Sequence, residues 1–364
     1  MRWRRRTRQP GTREQPLRSE LYSAGQMEQH GEILAESHKD ASKHGPDRLL
    51  SRLSENELIL TDACRLLSQA IEAERRITPA GEWLLDNFYL IEEQIRTARR
   101  HLPKRYSWDL PRLTSGPSEG FPRVYDIALH AISHGDGRID GESLLRFVAA
   151  YQRTTPLQLG ELWAIPIMLR LALIENLRRI AGQLSADRVD RNLADSWADK
   201  IVDITERDSK NLILVLADMA RSSPPMVSAF VAEFARRLQG HSHVLALPLS
   251  WVEQSLAESG LTIAQLVQAE NQQQAANQLS VSNCIGSLRL LAVLDWREFV
   301  ESLSLTEHSL RRDPSGVYAK MDFATRDRYR HVVEKIARRG ALSEVAVSEA
   351  SLHLATQAAA QSLP

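Results

Sequence analysis

The sequence is short of cysteine and carries no net charge, and each absence excludes a class of protein. The two cysteines, Cys64 and Cys284, lie far apart in helical contexts. They have neither the spacing of a zinc motif nor the density of a disulfide scaffold, so we expect reduced, buried thiols. The 46 Lys and Arg residues balance 46 Asp and Glu residues. Overall charge therefore gives no reason to expect nucleic acid or an anionic membrane as the partner.

The short motifs of common enzymes are also missing. There is no Gly-rich phosphate loop, no G-x-S-x-G, no H-E-x-x-H and no strand-borne Asp-x-Asp pair. Asp187 and Asp190 lie three apart on a predicted helix, where a solvated face is the expectation. His241 and His243 could share a metal only in an extended segment, with no third ligand nearby. We therefore predict no catalytic, cofactor-binding or metal-ligating residue.

The segment GDGRIDGESLLRF superficially resembles a calcium loop. Asp136, Arg138 and Asp140 occupy alternate positions, but the glycine and the distal glutamate do not fall at EF-hand offsets. We interpret the segment as a turn in which Asp140 caps a helix over 142–151.

Sustained alternation of β-branched residues is absent as well, and no Asn-Gly hairpin signal occurs. Roughly twelve helical patterns separated by short turns predict an all-α protein without a sheet or a fixed repeat. The predicted helix after Thr78-Pro79 ends before Pro103 and carries Asn87 inside its apolar arc, where the amide needs hydrogen-bond partners.

The longest apolar run, residues 157–180, organises the rest of the prediction. Its apolar side chains point in every direction, so the helix should be covered all round, in an irregular array of helices. Glu161, Pro166, Arg170 and Glu175 interrupt it, and charge at the centre of a bilayer costs several kcal/mol, so we do not expect a transmembrane helix. We expect a break at Pro166 and a pair between Arg170 and Glu175.

The chain divides by composition into three parts. Residues 1–46 are polar and begin with twenty residues that hold seven arginines, two glutamates and no apolar signal region, so we expect a disordered basic tail. Residues 47–351 are predicted to form the helical domain, with a division into two lobes near 182–200. Residues 352–364 are expected to fray.

The C-terminal third holds the densest group of unusual residues. Asp313-Pro314-Ser315-Gly316 predicts a turn, and a helix follows. Two interpretations suit that helix: a cationic, aromatic-edged patch suited to sugar or phosphate, and an ion-pair network that includes an i,i+4 pair of Asp322 with Arg326. The residues of the patch are Asp322, Arg326, Asp327, Arg328, Tyr329 and Arg330.

Several long segments resemble one bacterial enzyme family. They are ITPAGEWLLDNFYLIEEQIR, GFPRVYDIALHAISHGDGRID, TPLQLGELWAIPIMLRLALIENLRRIA and SLRLLAVLDWREFVESLSLTEHSLRRDPSGVYAKMDFATRDRYRHVVEKIARR. Over about 48–351 the chain looks like the N-terminal region of cyclic β-1,2-glucan synthases, which also carry an old glycosyltransferase family 36 label.

The resemblance implies the following. The full enzyme transfers glucose from UDP-glucose with a divalent metal, builds a cyclic β-1,2-glucan, and lies in the inner membrane, with this region on the cytoplasmic side. Its transferase and membrane portions, which follow this region, would be the partners, and glucan is a further candidate. No cofactor is expected in this chain, which looks like a truncated or split product. The family's catalytic residues have no matching positions here, so enzymatic activity is left open.

Two alternatives remain. The chain could be a stand-alone helical module that binds a protein partner. It could also be an α/α-barrel glycosidase, which requires two carboxylates ~5 to 10 Å apart in a cleft. The carboxylates available for that chemistry, Asp86, Glu92, Glu93 and Asp322, are scattered along the sequence.

Overall fold

A computed structural model describes residues 14–38, 41–42, 48–102, 106–239 and 245–361. These residues form fifteen α-helices and one antiparallel pair of two-residue strands, β1 (Ala41–Ser42) and β2 (Arg112–Leu113), which confirms the all-α class. The helices are α1 (Ala24–Ser37), α2 (Leu49–Glu72), α3 (Pro79–Asp86), α4 (Phe88–His101), α5 (Arg123–His134), α6 (Gly141–Thr154), α7 (Leu159–Asp208), α8 (Leu212–Ser222), α9 (Ser228–Leu238), α10 (Ala246–Ala257), α11 (Ile263–Leu290), α12 (Trp296–Leu303), α13 (Leu305–Leu310), α14 (Phe323–Arg339) and α15 (Glu344–Gln361).

The chain forms two compact units, and each is built from several separate stretches of sequence. The first contains the described residues of Met1–Pro16, Glu55–Glu92 and Glu175–Ile285; the second contains those of Leu17–Ser54, Glu93–Ile174 and Gly286–Pro364. The boundaries fall inside α2, α4, α7 and α11 rather than near 182–200, where α7 is continuous. A boundary inside a helix leaves no loop in the sequence to mark it.

The core of the first unit is aromatic and aliphatic. Phe230 and Phe234 of α9 are fully buried, with stacked rings 5.7 Å apart. Met219 of α8 and Ile201 of α7 belong to the same cluster. Burial of such side chains stabilises the fold by about 1.5–3 kcal/mol each.

The two cysteines also lie in this unit. Cys64 on α2 and Cys284 on α11 are buried thiols, as predicted. The Nδ2 atom of Asn176 lies 3.5 Å from Cys284 Sγ and donates to it. Burial, and secondarily the carboxylate of Glu92, raises the pKa of the Cys64 thiol to about 12.

The predicted central helix is longer than expected and unbroken. It runs on to Asp208 and continues through Pro166. Proline inside a helix costs roughly 3 kcal/mol, but the surrounding apolar side chains, among them Met168 and Leu173, are completely buried, which confirms that this stretch is covered all round. This burial offsets the loss of one backbone hydrogen bond.

The charged residues of the run are held separately. Glu161, which is completely buried, receives two hydrogen bonds of 2.6 Å from the guanidinium of Arg123. The predicted pair of Arg170 with Glu175 is wrong. Arg170 donates to Gln94 at 2.7 Å, while Glu175 accepts from Arg179, the i,i+4 partner, at 2.8 Å.

Several local predictions are confirmed, and one was incomplete. Thr78 caps α3, and Asp140 caps α6 through the amide of Ser143. Asn87 does find a partner, because its Nδ2 donates to the carbonyl of Trp83 at 2.9 Å. Asn87 also ends α3, so two helices stand where the sequence predicted one.

The predicted ends of the domain need correction. Helix α1 lies inside the predicted disordered tail, with Leu34 and Ala35 buried. The apolar face of α1 packs against α6, which explains why this polar segment folds. Residues 1–13, 39–40 and 43–47 lie outside the described residues. At the other end α15 is helical through Gln361, so the predicted fraying is wrong for residues 352–361.

Candidate functional site

The predicted patch lies on α14 in the second unit, and its two inward arginines face two glutamates. Arg330 Nη1 donates to Glu301 Oε1 at 2.9 Å and to Glu307 Oε2 at 2.7 Å. Arg326 Nη2 binds both carboxylate oxygens of Glu301, at 2.9 and 2.8 Å. We call Glu301, Glu307, Arg326 and Arg330 the arginine cluster.

Local structure explains how the four residues meet. Ser304 ends α12 and caps α13, where its hydroxyl accepts from the amide of Glu307 at 3.1 Å. This cap fixes the short helix that carries Glu307. On α14, Arg326 and Arg330 lie one turn apart on one face, so both reach the same carboxylates.

Electrostatics hold the cluster in its charged form. Glu307 and Arg330 have no exposed side-chain surface. Burial raises the pKa of Glu307, but hydrogen bonds from Tyr318, Arg311 and Arg330 outweigh burial and keep that pKa below its ordinary value. The carboxylates of Glu301, Glu307 and Asp327 thus face the guanidiniums of Arg311, Arg326 and Arg330, and the charges are balanced within the protein.

The other residues of the patch have separate places. Asp322 is the N-cap of α14 and accepts from the amide of Thr325 at 3.0 Å, so its predicted side-chain pair with Arg326 is wrong. Asp327 pairs with Arg330 at 3.0 Å. Arg328 and Tyr329 are exposed, and Tyr329 meets the ring of Tyr318 edge-on.

For Arg326 and Arg330 the ion-pair interpretation is therefore the one that the structure supports. The sequence reasoning missed their partners, Glu301 and Glu307. The signal was Glu301 and Glu307, two of the three glutamates in REFVESLSLTEH, just before a helix with arginines one turn apart.

A cavity of about 360 Å³ opens beside Trp163 in the same unit. The Trp163 cavity, as we name it, has a mixed aromatic and charged lining: Tyr106, Asp109, Leu110, Leu159, Gly160, Trp163, His331, Glu334 and Arg338. The indole Nε1 of Trp163 is buried and has no hydrogen-bond partner among the described residues. A buried donor without a partner costs about 1–3 kcal/mol, so an acceptor that reached it would be stabilised.

Charged side chains form the rim of this cavity. Arg338 donates to Asp109 at 3.0 Å and to Glu334 at 2.8 Å. Behind the lining residue Leu159, Glu344, which does not itself line the cavity, accepts from the Leu159 amide at 2.9 Å. Burial, followed by the nearby carboxylates of Glu334 and Glu161, raises the pKa of Glu344 to about 7 in spite of that amide.

Aromatic faces beside carboxylates and a guanidinium suit a sugar. A pyranose has apolar C–H faces that can pack on rings, and hydroxyl groups that can both donate to carboxylates and accept from arginine. The Trp163 cavity therefore has the chemistry of a carbohydrate contact. Sequence reasoning quoted Trp163 within a motif but gave it no role.

The carboxylates considered for glycosidase chemistry are exposed and do not line the Trp163 cavity: Asp86, Glu92, Glu93 and Asp322. Asp190 is buried, so the solvated face predicted for it is wrong; α7 is covered by protein at that position. His241 and His243 lie outside the described residues. Within the described part of the chain, no helix is long and apolar enough to cross a membrane.

No family model matches the chain. Over 345 residues, which are 94% of this chain, it is 32% identical to the cyclic beta-(1,2)-glucan synthase NdvB of Rhizobium meliloti (strain 1021). The chain spans only 12% of the length of that protein. The similarity confirms the resemblance carried by the quoted segments and is consistent with an N-terminal region of such an enzyme. The chain is therefore a homologue of part of a cyclic β-(1,2)-glucan synthase.

Proposed function

We propose that this chain acts as a non-catalytic helical region of a cyclic β-1,2-glucan synthase and contacts both the rest of the enzyme and its glucan. The observation that carries the proposal is the similarity to one synthase over 94% of the chain. Glucose transfer from UDP-glucose, with its divalent metal, belongs in this proposal to the remaining part of the synthase. The region works on the cytoplasmic side of the inner membrane.

The geometry supports a non-catalytic role. The cations of the arginine cluster are neutralised internally by Glu301 and Glu307. The cluster thus has little charge left for a nucleotide diphosphate. The Trp163 cavity offers apolar contact and hydrogen bonding, which suit a glucan that is held.

The catalytic part of the proposal is tested with the purified chain. It is incubated with UDP-glucose and Mg²⁺ or Mn²⁺, and released UDP is measured. We expect no release above the rate without protein, while an intact synthase in the same assay releases UDP. Turnover of UDP-glucose by the chain alone overturns the proposal.

The scaffold part is tested by co-purification. The tagged chain is co-expressed with the transferase and membrane portion of a synthase, and the two are expected to purify together at a fixed ratio. If the portions do not associate at micromolar concentrations, the proposed contact is absent.

The glucan contact is tested through Trp163. Linear β-1,2-linked glucose oligomers are titrated into the chain while tryptophan fluorescence is recorded. Trp163→Phe keeps a ring but removes the unpaired N–H, and we expect its affinity to fall by about tenfold, the value of one hydrogen bond of about 1–1.5 kcal/mol. Trp83→Phe, at an exposed tryptophan of the first unit, is the matched control. Equal affinities of the two variants would remove the cavity from the proposal.

A further inference from the structure

Three histidines of the second unit converge outside the arginine cluster and the Trp163 cavity. His30 lies on α1, and His130 and His134 lie one turn apart on α5. One ring nitrogen of each lies within 4.8 Å of the others, and His30 Nε2 is 2.9 Å from His130 Nδ1. We call these three residues the histidine centre. The i,i+4 spacing of His130 and His134 was the signal that the sequence contained.

Neighbouring groups select the tautomer of two of the rings. His134 Nδ1 lies 2.8 Å from the carbonyl oxygen of Glu20. A carbonyl can only accept, so Nδ1 carries the proton and Nε2 keeps a lone pair. His130 Nε2 lies 3.4 Å from Asp126 Oδ2, which by the same argument leaves the lone pair of Nδ1 directed towards His30.

Asp126 is the anchor of this arrangement. Burial raises the pKa of Asp126, but hydrogen bonds with His130, His38 and Ser118 outweigh burial and hold that pKa below its ordinary value. The carboxylate thus remains ionised. His38 links it further to the hydroxyl of Tyr151, with contacts of 3.1 Å on both sides.

The rings are also held by packing. Tyr22 stacks on His134, with ring centres 3.9 Å apart and planes 10° from parallel. Phe147 of α6 lies parallel to the ring of His30 at 6.3 Å. A Cβ atom on Gly31 would lie 2.7 Å from the carbonyl oxygen of Phe147, so glycine is what lets α1 come close enough to present His30.

The pKa of His30 supports a ligand role but does not establish it. Burial, and then the neighbouring His130 and His134, lower the pKa of His30 to about 4. Burial likewise lowers the pKa of His134. Both rings are therefore neutral near pH 7, which is the state that coordinates metal.

We propose that His30, His130 and His134 bind one Zn²⁺ ion that ties α1 to α5. Zinc takes imidazole nitrogen at about 2.0–2.1 Å in tetrahedral geometry, which places ligand nitrogens roughly 3.3 Å apart. The observed spacings therefore need only small movements of the rings. A carboxylate hydrogen-bonded to a ligating histidine is the usual support of such an ion, and Asp126 supplies it. Solvent would occupy the fourth position.

Nitrogen ligands decide which metal fits. Mg²⁺ and Ca²⁺ prefer oxygen, whereas imidazole suits zinc and its neighbours in the first transition row. The ion proposed here is thus distinct from the divalent metal that the resemblance assigns to glucose transfer.

The test uses the whole chain, stripped of metal with a chelator and titrated with ZnCl₂ by calorimetry. We expect one ion per chain. His30→Gln, whose fold is checked by circular dichroism, is expected to weaken binding by at least about 100-fold, since it removes one of three ligands. His353→Ala, at an exposed histidine of α15, is expected to leave affinity unchanged.

Two further measurements separate a ligand role from a structural one. Asp126→Asn should keep the 1:1 stoichiometry and weaken binding by about 10- to 100-fold. Co²⁺ in place of zinc should give an intense visible absorption in the original chain that is lost in His30→Gln. If the metal-free chain takes up no Zn²⁺, or if His30→Gln binds it as tightly as the original, the proposal is overturned, and the histidines are then a hydrogen-bonded chain only.

Discussion

The arginine cluster and the histidine centre are both groups of ionisable side chains in the second unit, yet they satisfy their charges in opposite ways. In the arginine cluster, Arg330 and Glu307 are completely buried and each neutralises the other. In the histidine centre, one carboxylate, Asp126, holds the ring of His130, which in turn lies 2.9 Å from the uncharged ring of His30. In the first arrangement the carboxylates pair with the guanidinium Nη groups, and only Arg330 Nε lacks a hydrogen-bond partner among the described residues of the cluster. In the second, one hydrogen bond of 2.9 Å joins His30 Nε2 to His130 Nδ1, and His134 Nε2 keeps a lone pair.

The difference separates a structural group from a binding group. A guanidinium stays charged at any accessible pH and has no lone pair to offer, so once Arg326 and Arg330 have carboxylate partners they stabilise packing. Imidazole can present a donor or an acceptor at each nitrogen. The surroundings of an imidazole therefore determine what it binds. A count of charges in the sequence cannot predict this.

The largest effect on stability is expected from a substitution that breaks the arginine cluster. Arg330→Met removes the cation and leaves Glu307 buried without it, which should lower the free energy of unfolding by about 3–5 kcal/mol. Urea unfolding of the chain measures this loss. Arg328→Met, two residues away at an exposed position of α14, should change stability by no more than about 0.5 kcal/mol. Equal effects of the two substitutions would refute the buried network.

A half-buried acid sharpens the comparison, because Glu344 is held by a backbone amide and lies near the carboxylates of Glu334 and Glu161. Its folded-state pKa of about 7 lies above the ordinary value of 4.5. Between these values the folded state keeps a proton that the unfolded state releases, so the free energy of unfolding falls as pH rises and levels off above about 7.

Glu344→Gln should abolish this pH-dependent decrease in the free energy of unfolding. Relative to the original chain, the variant should gain on the order of 2 kcal/mol between pH 4.5 and pH 8. Urea unfolding at a series of pH values checks this, with the exposed Glu349→Gln as control. A parallel pH profile for Glu344→Gln and the original chain would show that Glu344 is not the group responsible.

The histidine centre can be disturbed without touching a histidine. Gly31→Ala should force α1 away from the carbonyl of Phe147 and lower the free energy of unfolding by about 1–3 kcal/mol. It should also weaken binding of Zn²⁺. Gly25→Ala on the same helix meets nothing within 4 Å and should cause no loss, so thermal unfolding of the pair separates close packing from helix propensity. Similar losses in both variants would contradict the packing argument.

The smallest effect on stability is expected when a neutral hydrogen-bond donor to the arginine cluster is removed. The hydroxyl of Tyr318 donates to Glu307 Oε2 at 2.7 Å, and Tyr318→Phe deletes that bond while Arg330 remains. We expect a loss of about 1–2 kcal/mol in urea unfolding. Tyr329→Phe, at a half-exposed ring, should be nearly neutral. A loss for Tyr318→Phe as large as for Arg330→Met would mean that the cation is not the main partner.

Sequence patterns predicted the parts of the fold that depend on local chemistry. Thr78 and Asp140 are N-caps whose side chains bond to backbone amides three residues away. The burial of the central helix could be predicted from its apolar composition. The failures depend on tertiary structure. Pro166 breaks nothing because apolar contacts stabilise the surrounding helix, and α1 folds because α6 lies against it.

The sites were less predictable for the same reason. Arg326 and Arg330 were recognised as a group, but their partner Glu301 lies on another helix, and no spacing in the sequence reveals which carboxylate an arginine will meet. His30 and His130 come from segments one hundred residues apart. Only the i,i+4 spacing of His130 and His134 could be recognised from the sequence.

The two buried thiols have a practical use in following the molecule's motions. At pH 8 almost none of Cys64 is present as the reactive thiolate, because burial raises the pKa of its thiol to about 12, and Cys284 has no exposed surface. A thiol-specific reagent can therefore react with these thiols only after the first unit opens. The rate at which the reagent modifies the two thiols therefore measures the rate at which the first unit opens. This measurement needs no engineered label.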